Sequence, residues 1–230
     1  MLDRHGAARR ERAHHAGVAE LEAAFGGDAS RPAVGDAHRA PEPLDRAGAE
    51  GVVDRRLGDL GAETLAPMRL GDGPAIVAGL SDYEVTRWLA RVPYPYDLDE
   101  AERFLAWERM QRPVSAEQVY AIDRDGMIGL ISLRAAGSRP ILGYWLAQVH
   151  WGKRYMSEAV AALVDDTFAD PSVTEIQSGV FEGNERSLAI QKRQGFEIVG
   201  RSTQHNLALG RDLAHIDTAL TRARHYELKT

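Results

Sequence analysis

The chain has 230 residues and a formal net charge of −6, and 44% of its residues are hydrophobic. This length and hydrophobic content suffice for one sizeable core, and the acidic balance argues against a nucleic-acid binder, which would carry a basic patch. The chain contains no cysteine, which excludes disulfides, thiolate metal sites and a cysteine nucleophile. The sequence has neither an apolar run of roughly 18 residues nor an apolar N-terminal signal core, so we expect a cytoplasmic protein without a membrane partner.

Residues 1–62 differ in composition from the rest of the chain. They are rich in Ala, Arg, Gly, Asp and His, they contain one aromatic residue, Phe25, and prolines at 32, 41 and 43 interrupt them. Such a segment buries too little apolar surface to offset the entropy of ordering it. We therefore predict a low-order extension here, and an artefact of an early start codon is an alternative origin for it.

From residue 63 onwards, the apolar pattern predicts strands and helices. The predicted strands cover 64–70, 118–122, 127–133, 141–146, 173–181, 195–201 and 213–220, and the predicted helices cover 72–80, 82–90, 99–112, 155–169 and 185–193. Pro67 places the first strand at a sheet edge or bulge, residues 92–96 must form a loop, and the Arg-Asp-Gly run at 124–126 indicates a hairpin. Helices between strands predict an α/β fold, and the central hairpin predicts a mixed sheet.

The most informative stretch runs from residue 142 to residue 157. A predicted strand leads into the turn Trp-Gly-Lys-Arg at 151–154, and a helix begins near Tyr155. A tight turn that opens a helix presents free backbone N–H groups, which bind anions together with the positive end of the helix dipole. The N–H groups of residues 152–157 are therefore predicted to bind the pyrophosphate of a cofactor. The alternative is a capped helix start without a ligand.

Three segments share their order and spacing with a known family. The first is LGYWL at 142–146 followed by WGKRYMSEA at 151–159, the second is VFEGNERS at 180–187, and the third is QKRQGFEIVG at 191–200. Together they resemble the GNAT N-acetyltransferase superfamily, specifically its RimJ/RimL-like branch. The resemblance covers about residues 63–222, which we take as the domain, and leaves residues 223–230 as a C-terminal tail.

The resemblance implies the GNAT acyl-CoA N-acyltransferase fold with acetyl-CoA as co-substrate and no metal. It also implies direct attack of a primary amine, either a protein N-terminus or a small amine, in a ternary complex. The chain could act as a monomer or a homodimer. The resemblance and the predicted turn assign cofactor contacts to Tyr144, Trp145, Leu146, Trp151, Gly152, Lys153, Arg154, Tyr155, Met156, Ser157 and Asn184.

Several of these residues have an alternative, purely structural role. Tyr144, Trp145 and Leu146 would contact the pantetheine arm through their main chain, or they simply form a half-buried core strand. Asn184 directly precedes a predicted helix, so it is expected to be an N-cap whether or not it also approaches the cofactor.

The chain departs from the family pattern at two positions. The acetyl-CoA signature Gln/Arg-x-x-Gly-x-Gly/Ala corresponds here to Trp151, Arg154 and Met156. Glycine lets the backbone approach the phosphates, whereas Arg154 could bring a guanidinium onto a phosphate oxygen or change the loop shape. Gln191 stands where many relatives place a tyrosine acid, and its side chain cannot donate a proton in that way.

The catalytic candidates are Ser187 and Glu182. Ser187 occupies the position where RimL-like enzymes place a serine near the coenzyme sulfur, or it is a solvated serine in the first helical turn. Glu182 is a candidate base, and a water relay is the alternative. Without a strong base, a weakly basic acceptor such as an α-amine is easier to reconcile with catalysis than a lysine side chain.

The acceptor cleft in this family is bordered by a segment that contains Trp88, Tyr94 and Tyr96 here. The alternative is that these aromatic residues pack around the Pro-rich loop. A second function from a different class also stays open, because Arg154, the missing tyrosine and the unassigned base are compatible with a non-catalytic acyl-CoA-binding sensor or regulatory module.

Overall fold

The computed structural model describes residues 64–111, 117–134 and 137–230. The predicted extension over residues 1–62 lies outside these described residues. The strands are β1 Thr64–Pro67, β2 Glu117–Asp123, β3 Met127–Arg134, β4 Ile141–Leu146, β5 Glu175–Phe181, β6 Glu197–Asn206 and β7 Arg211–Thr221. The helices are α1 Gly73–Leu80, α2 Tyr83–Thr86, α3 Leu98–Gln111, α4 Tyr155–Ala169, α5 Glu185–Arg193 and α6 Arg222–Glu227, and two short 3-10 helices cover Leu70–Asp72 and Gln148–His150.

The strands form one mixed sheet in the order β1-β2-β3-β4-β5-β7-β6. Neighbouring strands are antiparallel except β4 and β5, which are parallel. This topology confirms the predicted mixed sheet, and the edge position of β1 agrees with the presence of Pro67. The predicted hairpin between β2 and β3 is also confirmed, and its turn has positive φ at Asp125 (54°) and Gly126 (126°).

Helices cover both faces of the sheet and create two apolar layers. One core cluster packs α4 against the sheet, and its fully buried members include Leu163, Phe168 and Ile176. A second cluster packs α1 and α3 against the opposite face, and it includes Ile76 and Trp145. None of the helices in the described residues is both long enough and apolar enough to cross a bilayer.

The predicted helix over 82–90 is wrong in length, since α2 forms a single turn. Asp82 caps it by accepting a hydrogen bond from the N–H of Glu84 at 2.9 Å. Beyond this turn, the carbonyl oxygens are used by the β6–β7 hairpin instead of a helix. The Asn206 amide donates to the carbonyl of Arg87 at 3.0 Å, and the N–H of Leu207 donates to the carbonyl of Ala90 at 3.1 Å. A contact distant in sequence therefore ends the helix.

The C-terminal part of the domain is more regular than predicted. Strand β6 extends to Asn206, although most of its residues are exposed, because it pairs with β7 along its length. Helix α6 was not predicted at all. It is fastened by Arg222, whose guanidinium donates to the carbonyl oxygens of Val173 at 2.8 Å and Phe168 at 2.7 Å. His225 of this helix is buried with its ring centroid 4.9 Å from that of Phe168.

Substitution of Gly79 by Ala is expected to destabilise the fold by about 1–3 kcal/mol through overpacking. A Cβ on Gly79 would lie 2.4 Å from Cζ3 of the buried Trp145 ring, which is rigid. The matched control is Gly71→Ala, because nothing lies within 4 Å of the Cβ position there. Chemical denaturation of the three proteins checks this. Equal stability of Gly79→Ala and Gly71→Ala would contradict the packing of Trp145 against α1.

Candidate active site

Strands β4 and β5 separate inside the sheet. They share one register pair, Ile141 with Gln177, although β4 continues to Leu146 and β5 to Phe181. At the start of the gap, Ser178 Oγ donates to the carbonyl of Leu142 at 3.0 Å. Backbone direction alternates along a strand, so the N–H and C=O of Tyr144 point into the same gap. The gap therefore offers unpaired main-chain groups that an extended ligand can bind as an added strand would.

Gln191 fastens the closed end of this gap. Its side chain is 1% exposed, and Nε2 donates to Ser178 Oγ at 3.0 Å and to the carbonyl of Gly179 at 3.4 Å. Oε1 accepts a hydrogen bond from Thr218 Oγ1 at 2.7 Å. Both ends of the amide are thus used in joining α5 to β5 and β7, and its role in the structure is positional.

The turn before α4 exposes the backbone donors of the helix start. Gly152 and Arg154 have positive φ values of 74° and 70°, and the first helical bond runs from Glu158 N–H to the Arg154 carbonyl at 3.1 Å. Within the described residues, the N–H groups of Tyr155, Met156 and Ser157 donate to no main-chain oxygen. These are the orphan donors of a helix N-terminus, which attract anions.

Arg154 occupies a backbone conformation that favours glycine. Its left-handed φ costs an L-residue roughly 1–2 kcal/mol, which glycine avoids. This geometry explains why the family signature has glycine at this position. The turn keeps its left-handed shape with arginine in place of glycine, at a cost in stability. The exposed Arg154 side chain places a positive charge beside the start of the helix.

Cationic side chains surround these N–H groups. Lys153 and Arg154 are exposed, and the Arg124 guanidinium lies 4.8 Å from the centroid of the Tyr155 ring. Burial lowers the pKa of His150, and the charges of Lys153 and Arg124 lower it further. His150 is therefore neutral at pH 7, and its Nδ1 is buried without a hydrogen-bond partner among the described residues.

Trp151 links the end of β4 to this turn. Its Nε1 donates to the Leu146 carbonyl at 2.7 Å, and the Arg186 guanidinium of α5 lies 4.8 Å from the ring centroid. Arg186 is thereby held beside the helix start. The indole N–H of Trp151 and the carbonyl of Leu146 are therefore bonded to each other, and neither group is free to bind a ligand.

The side chains of three further predicted residues are used in packing. Met156 is buried in the core, and the Trp145 ring lies against α1. Ser157 Oγ accepts a hydrogen bond from Arg193 at 3.1 Å, and its carbonyl accepts one from Gln194 Nε2 at 3.1 Å. Only the main-chain N–H groups of Met156 and Ser157 remain available for a ligand.

A tyrosine and a serine meet beside the gap. The Tyr144 hydroxyl lies 2.8 Å from Ser187 Oγ and 3.3 Å from the Ser187 carbonyl, to which it can donate. Burial raises the pKa of Tyr144, and its side-chain hydrogen bonds to Ser187 and Gln191 oppose part of this rise. The phenol is therefore protonated across the physiological pH range. Asn184 Oδ1 accepts from the Ser187 N–H at 3.3 Å, which confirms the predicted N-cap.

Sequence reasoning did not predict the Tyr144 hydroxyl contact, because Tyr144 was assigned a role through its main chain. The signal was present in the strand alternation. Positions 142, 144 and 146 share one face of β4, and Leu142 and Leu146 belong to the cluster that packs against α4.

The other predicted site residues lie apart from this pair. Glu182 is about half exposed and forms an ion pair with Arg201. Trp88 lies near Gly183, whose Cβ position would be 3.6 Å from the Trp88 ring. Tyr94 is exposed and contacts Tyr83 edge-to-face. Tyr96 is buried in the cluster formed by α1 and α3, and burial raises its pKa.

A further polar group near the gap was not singled out from the sequence. His215 Nδ1 lies 2.8 Å from Asp217 Oδ1, and the same oxygen accepts a hydrogen bond from Ser202 Oγ at 2.8 Å. The imidazole ring lies over Gly179 and packs edge-to-face on Phe181 at 5.5 Å between centroids. The spacing of His215 and Asp217 in a predicted strand, two residues apart, was the available signal.

The comparisons with known proteins agree with this geometry. Residues 64–197, more than half of the chain, match the family model described as an acetyltransferase (GNAT) domain. The chain belongs to the GNAT family. As a member it is an acetyl-CoA-dependent N-acetyltransferase, in agreement with a curated relative from Bacillus licheniformis, the uncharacterized N-acetyltransferase p20. That relative is 27% identical over 157 residues, covering 64% of this chain and 86% of its own.

Two solved GNAT structures share the fold. Mycobacterium smegmatis RimJ in complex with CoA-disulfide has 19% identity and a TM-score of 0.58, covering 73% of this chain and 89% of its own. Spermidine N-acetyltransferase from Vibrio cholerae, in complex with CoA and spermine, has 18% identity and a TM-score of 0.61, covering 72% of this chain and 98% of its own.

Arg154→Gly is expected to be more stable than Arg154→Ala by about 1 kcal/mol, because only glycine relieves the left-handed strain. For a domain of this size, that difference raises Tm by roughly 2–4 °C. Thermal unfolding of the two variants checks it, and since both lack the guanidinium, the comparison isolates the backbone. A more stable alanine variant would contradict the positive φ at this position.

Proposed function

We propose that the protein transfers the acetyl group of acetyl-CoA to a primary amine by direct attack in a ternary complex. The observation that carries this proposal is the gap between β4 and β5, which opens beside the unpaired N–H groups at the start of α4. A single extended thioester can occupy both, with its diphosphate on the helix start and its pantetheine arm along β4.

The residues around the helix start are suited to bind the phosphates. The N–H groups of residues 152–157 would hold the pyrophosphate, and the exposed Lys153 and Arg154 would add charge-assisted contacts. The main chain of Tyr144 would pair with the pantetheine arm, and one N–H there would stabilise the oxyanion that forms at the thioester carbonyl. The Leu146 N–H would continue this strand edge. The Trp145 main chain pairs with β3, so Trp145 would support the edge by its packing. Asn184 would approach the arm beside its capping role.

The Tyr144–Ser187 pair supports protonation of the leaving group. The amine nitrogen forms a bond to the acyl carbon, the carbon–sulfur bond breaks, and its electron pair goes to sulfur. The Ser187 hydroxyl donates a proton to that sulfur, and the Tyr144 hydroxyl, 2.8 Å away, resupplies the serine. Tyr144 then regains a proton from solvent, and the attacking nitrogen loses its proton to a base or to water. This arrangement replaces the tyrosine acid that Gln191 cannot provide.

The acceptor would enter from the face of the sheet that carries α1 and α3, near Trp88 and Tyr94. We place the protein in the RimJ/RimL-like branch, on the three segments that resemble it, and propose a protein N-terminus or a small amine as acceptor. Glu182 is the base suggested by the sequence, but its side chain is about half exposed and its carboxylate is already paired with Arg201.

Two observations favour the alternative, a non-catalytic acyl-CoA sensor. Arg154 stands in a turn that glycine would form at lower cost, and the Gln191 amide is bonded to Ser178 and Thr218. A sensor would bind the coenzyme and release no thiol with any amine.

Calorimetry with CoA and acetyl-CoA, followed by thiol release with a panel of amines, separates these functions. We expect binding of both coenzymes that weakens with added salt, since phosphate contacts are electrostatic, and turnover with at least one amine. Binding without turnover on every amine favours the sensor, and no heat of binding with either coenzyme overturns both functions.

Loss of either hydroxyl of the Tyr144–Ser187 pair, the proposed acid pair, is expected to lower kcat. Ser187→Ala should reduce it on the order of 10²-fold, the scale of a general-acid contribution, and Tyr144→Phe should reduce it by less. Since burial raises the pKa of Tyr144, no decline in rate from its ionisation is expected below its ordinary value of about 10. Steady-state kinetics across pH measure this.

Tyr226→Phe is the matched control for this pair. Its hydroxyl donates to the Phe168 carbonyl at 3.2 Å, in the α6 region outside the proposed site, so the variant loses a similar hydrogen bond without touching the acid pair. Wild-type kcat in Ser187→Ala would remove the serine from the mechanism.

A further inference from the structure

The His215–Asp217 pair lies on the opposite face of the sheet from the Tyr144–Ser187 pair. Paired residues of neighbouring strands share a face, and His215 pairs with Phe181 while Asp217 pairs with Gly179. Gln177 of β5 pairs with Ile141 of β4 and shares its face. Because side chains two or four residues apart on a strand point the same way, Gly179 and Phe181 lie on the same face as Trp145. Trp145 packs against α1, so His215 faces the side of α1 and α3, whereas Tyr144 faces α5.

The imidazole extends from β7 across β5 towards the gap. A Cβ on Gly179 would lie 2.2 Å from His215 Cε1 and 2.9 Å from Nε2, so the ring occupies the space that any other side chain would fill. Strand β5 lies between β7 and β4, and Gly179 comes two residues after Gln177, where β4 and β5 last pair. Nε2 therefore lies beside the opening of the gap.

The hydrogen bonds of the pair prepare Nε2 to accept a proton. The Nδ1–H group donates to Asp217 Oδ1 at 2.8 Å, which assigns the tautomer and leaves the lone pair on Nε2. Ser202 Oγ holds the same carboxylate oxygen in place. The His215 side chain is 10% exposed, so it is fixed by packing and retains a small accessible surface.

We propose that His215 is the general base for the acceptor amine and that Asp217 is its positioning residue. This inference rests on the proposed function. Nε2 first takes a proton from the ammonium form of the acceptor and passes it to solvent. As the nitrogen–carbon bond forms, Nε2 then takes the proton that the attacking nitrogen loses on this face of the sheet. The carbon–sulfur electron pair goes to sulfur, which takes the Ser187 proton on the other face. One amine and one thioester give one amide and one thiol. Nε2 returns its proton to solvent, and the Tyr144–Ser187 pair regains one proton from solvent.

The charged side chains next to His215 on the neighbouring strands, Glu182 and Arg201, are paired with each other, so we assign the role of general base to His215. Glu182 follows Phe181 on β5, and Arg201 lies on β6 beside Ser202. By strand alternation both side chains lie on the opposite face of the sheet from His215, where they pair with each other. Asp217 on β7 is the carboxylate in direct contact with the ring, and it stabilises the imidazolium that forms.

His215→Gln is expected to lower kcat on the order of 10²-fold while KM for acetyl-CoA stays within about twofold. With an α-amine acceptor, the deficit should shrink as the pH rises above the amine pKa of about 8, because the amine then arrives neutral and needs only the second of the two proton transfers to Nε2. A purely structural role of His215 would give a deficit that does not follow the acceptor's titration.

The matched control is His205→Gln. His205 Nδ1 also contacts a carboxylate, Asp212 Oδ1 at 2.7 Å, but both side chains are more than half exposed at the end of the β6–β7 hairpin. This variant loses the same kind of pair and should retain wild-type kcat and pH profile.

Two further variants keep the inference testable if His215→Gln does not fold. Added imidazole should restore the rate of His215→Ala in a saturable manner, because the lost ring leaves room over Gly179. Asp217→Asn should lower kcat at unchanged KM for acetyl-CoA.

The outcomes separate the two proposals. If the wild type acetylates an amine while His215→Gln or His215→Ala retains its kcat and pH profile, His215 is not the base and the proposed function stands. A folded His215→Ala that has lost activity and is not rescued by imidazole likewise overturns the role of His215. If the wild type turns over no amine, the proposed function itself fails.

Discussion

The separation of β4 and β5 is the constraint on which the proposed chemistry depends. Every other pair of neighbouring strands in the described sheet has several paired residues, whereas these two parallel strands share one pair. A sheet that opens in its middle leaves main-chain donors and acceptors unpaired, which costs free energy unless water or a ligand satisfies them. Beside this opening, the two faces of the sheet carry different pairs of polar residues, Tyr144 with Ser187 on one face and His215 with Asp217 on the other.

Side-chain hydrogen bonds fix the point at which β4 and β5 diverge. Ser178 contacts the Leu142 carbonyl, and Gln191 ties Ser178 to Thr218, so the point of divergence is fixed by a buried hydrogen-bonded network. Such fully satisfied networks give a unique geometry because each unsatisfied member would be costly. The helical layers on the two faces pack against side chains of β3 and β4.

The two departures from the family pattern have different physical meanings. Gln191 replaces a group expected to donate a proton, and it serves the architecture of the gap, while Tyr144 and Ser187 form a hydroxyl pair on the neighbouring surface. Arg154 keeps the left-handed turn that a glycine would adopt more easily. It adds a cation where the helix dipole already attracts an anion, so a loss in stability accompanies a stronger positive field at the helix start.

The sequence by itself determined the elements whose stability is local. Helices α4 and α5 begin and end where the apolar period and the Asn184 cap predict, and the Asp125-Gly126 turn and the helix start at Tyr155 depend on neighbouring residues alone. Helix α2 was predicted too long because the Arg87 carbonyl just beyond it bonds to the distant Asn206. Helix α6 was missed because Arg222 fastens it to residues far back in the chain. Only the tertiary structure decided that Tyr144 meets Ser187 and that His215 covers Gly179. The partners in each pair are brought together by strand order and register, which arise from the packing of the whole sheet and not from any local pattern.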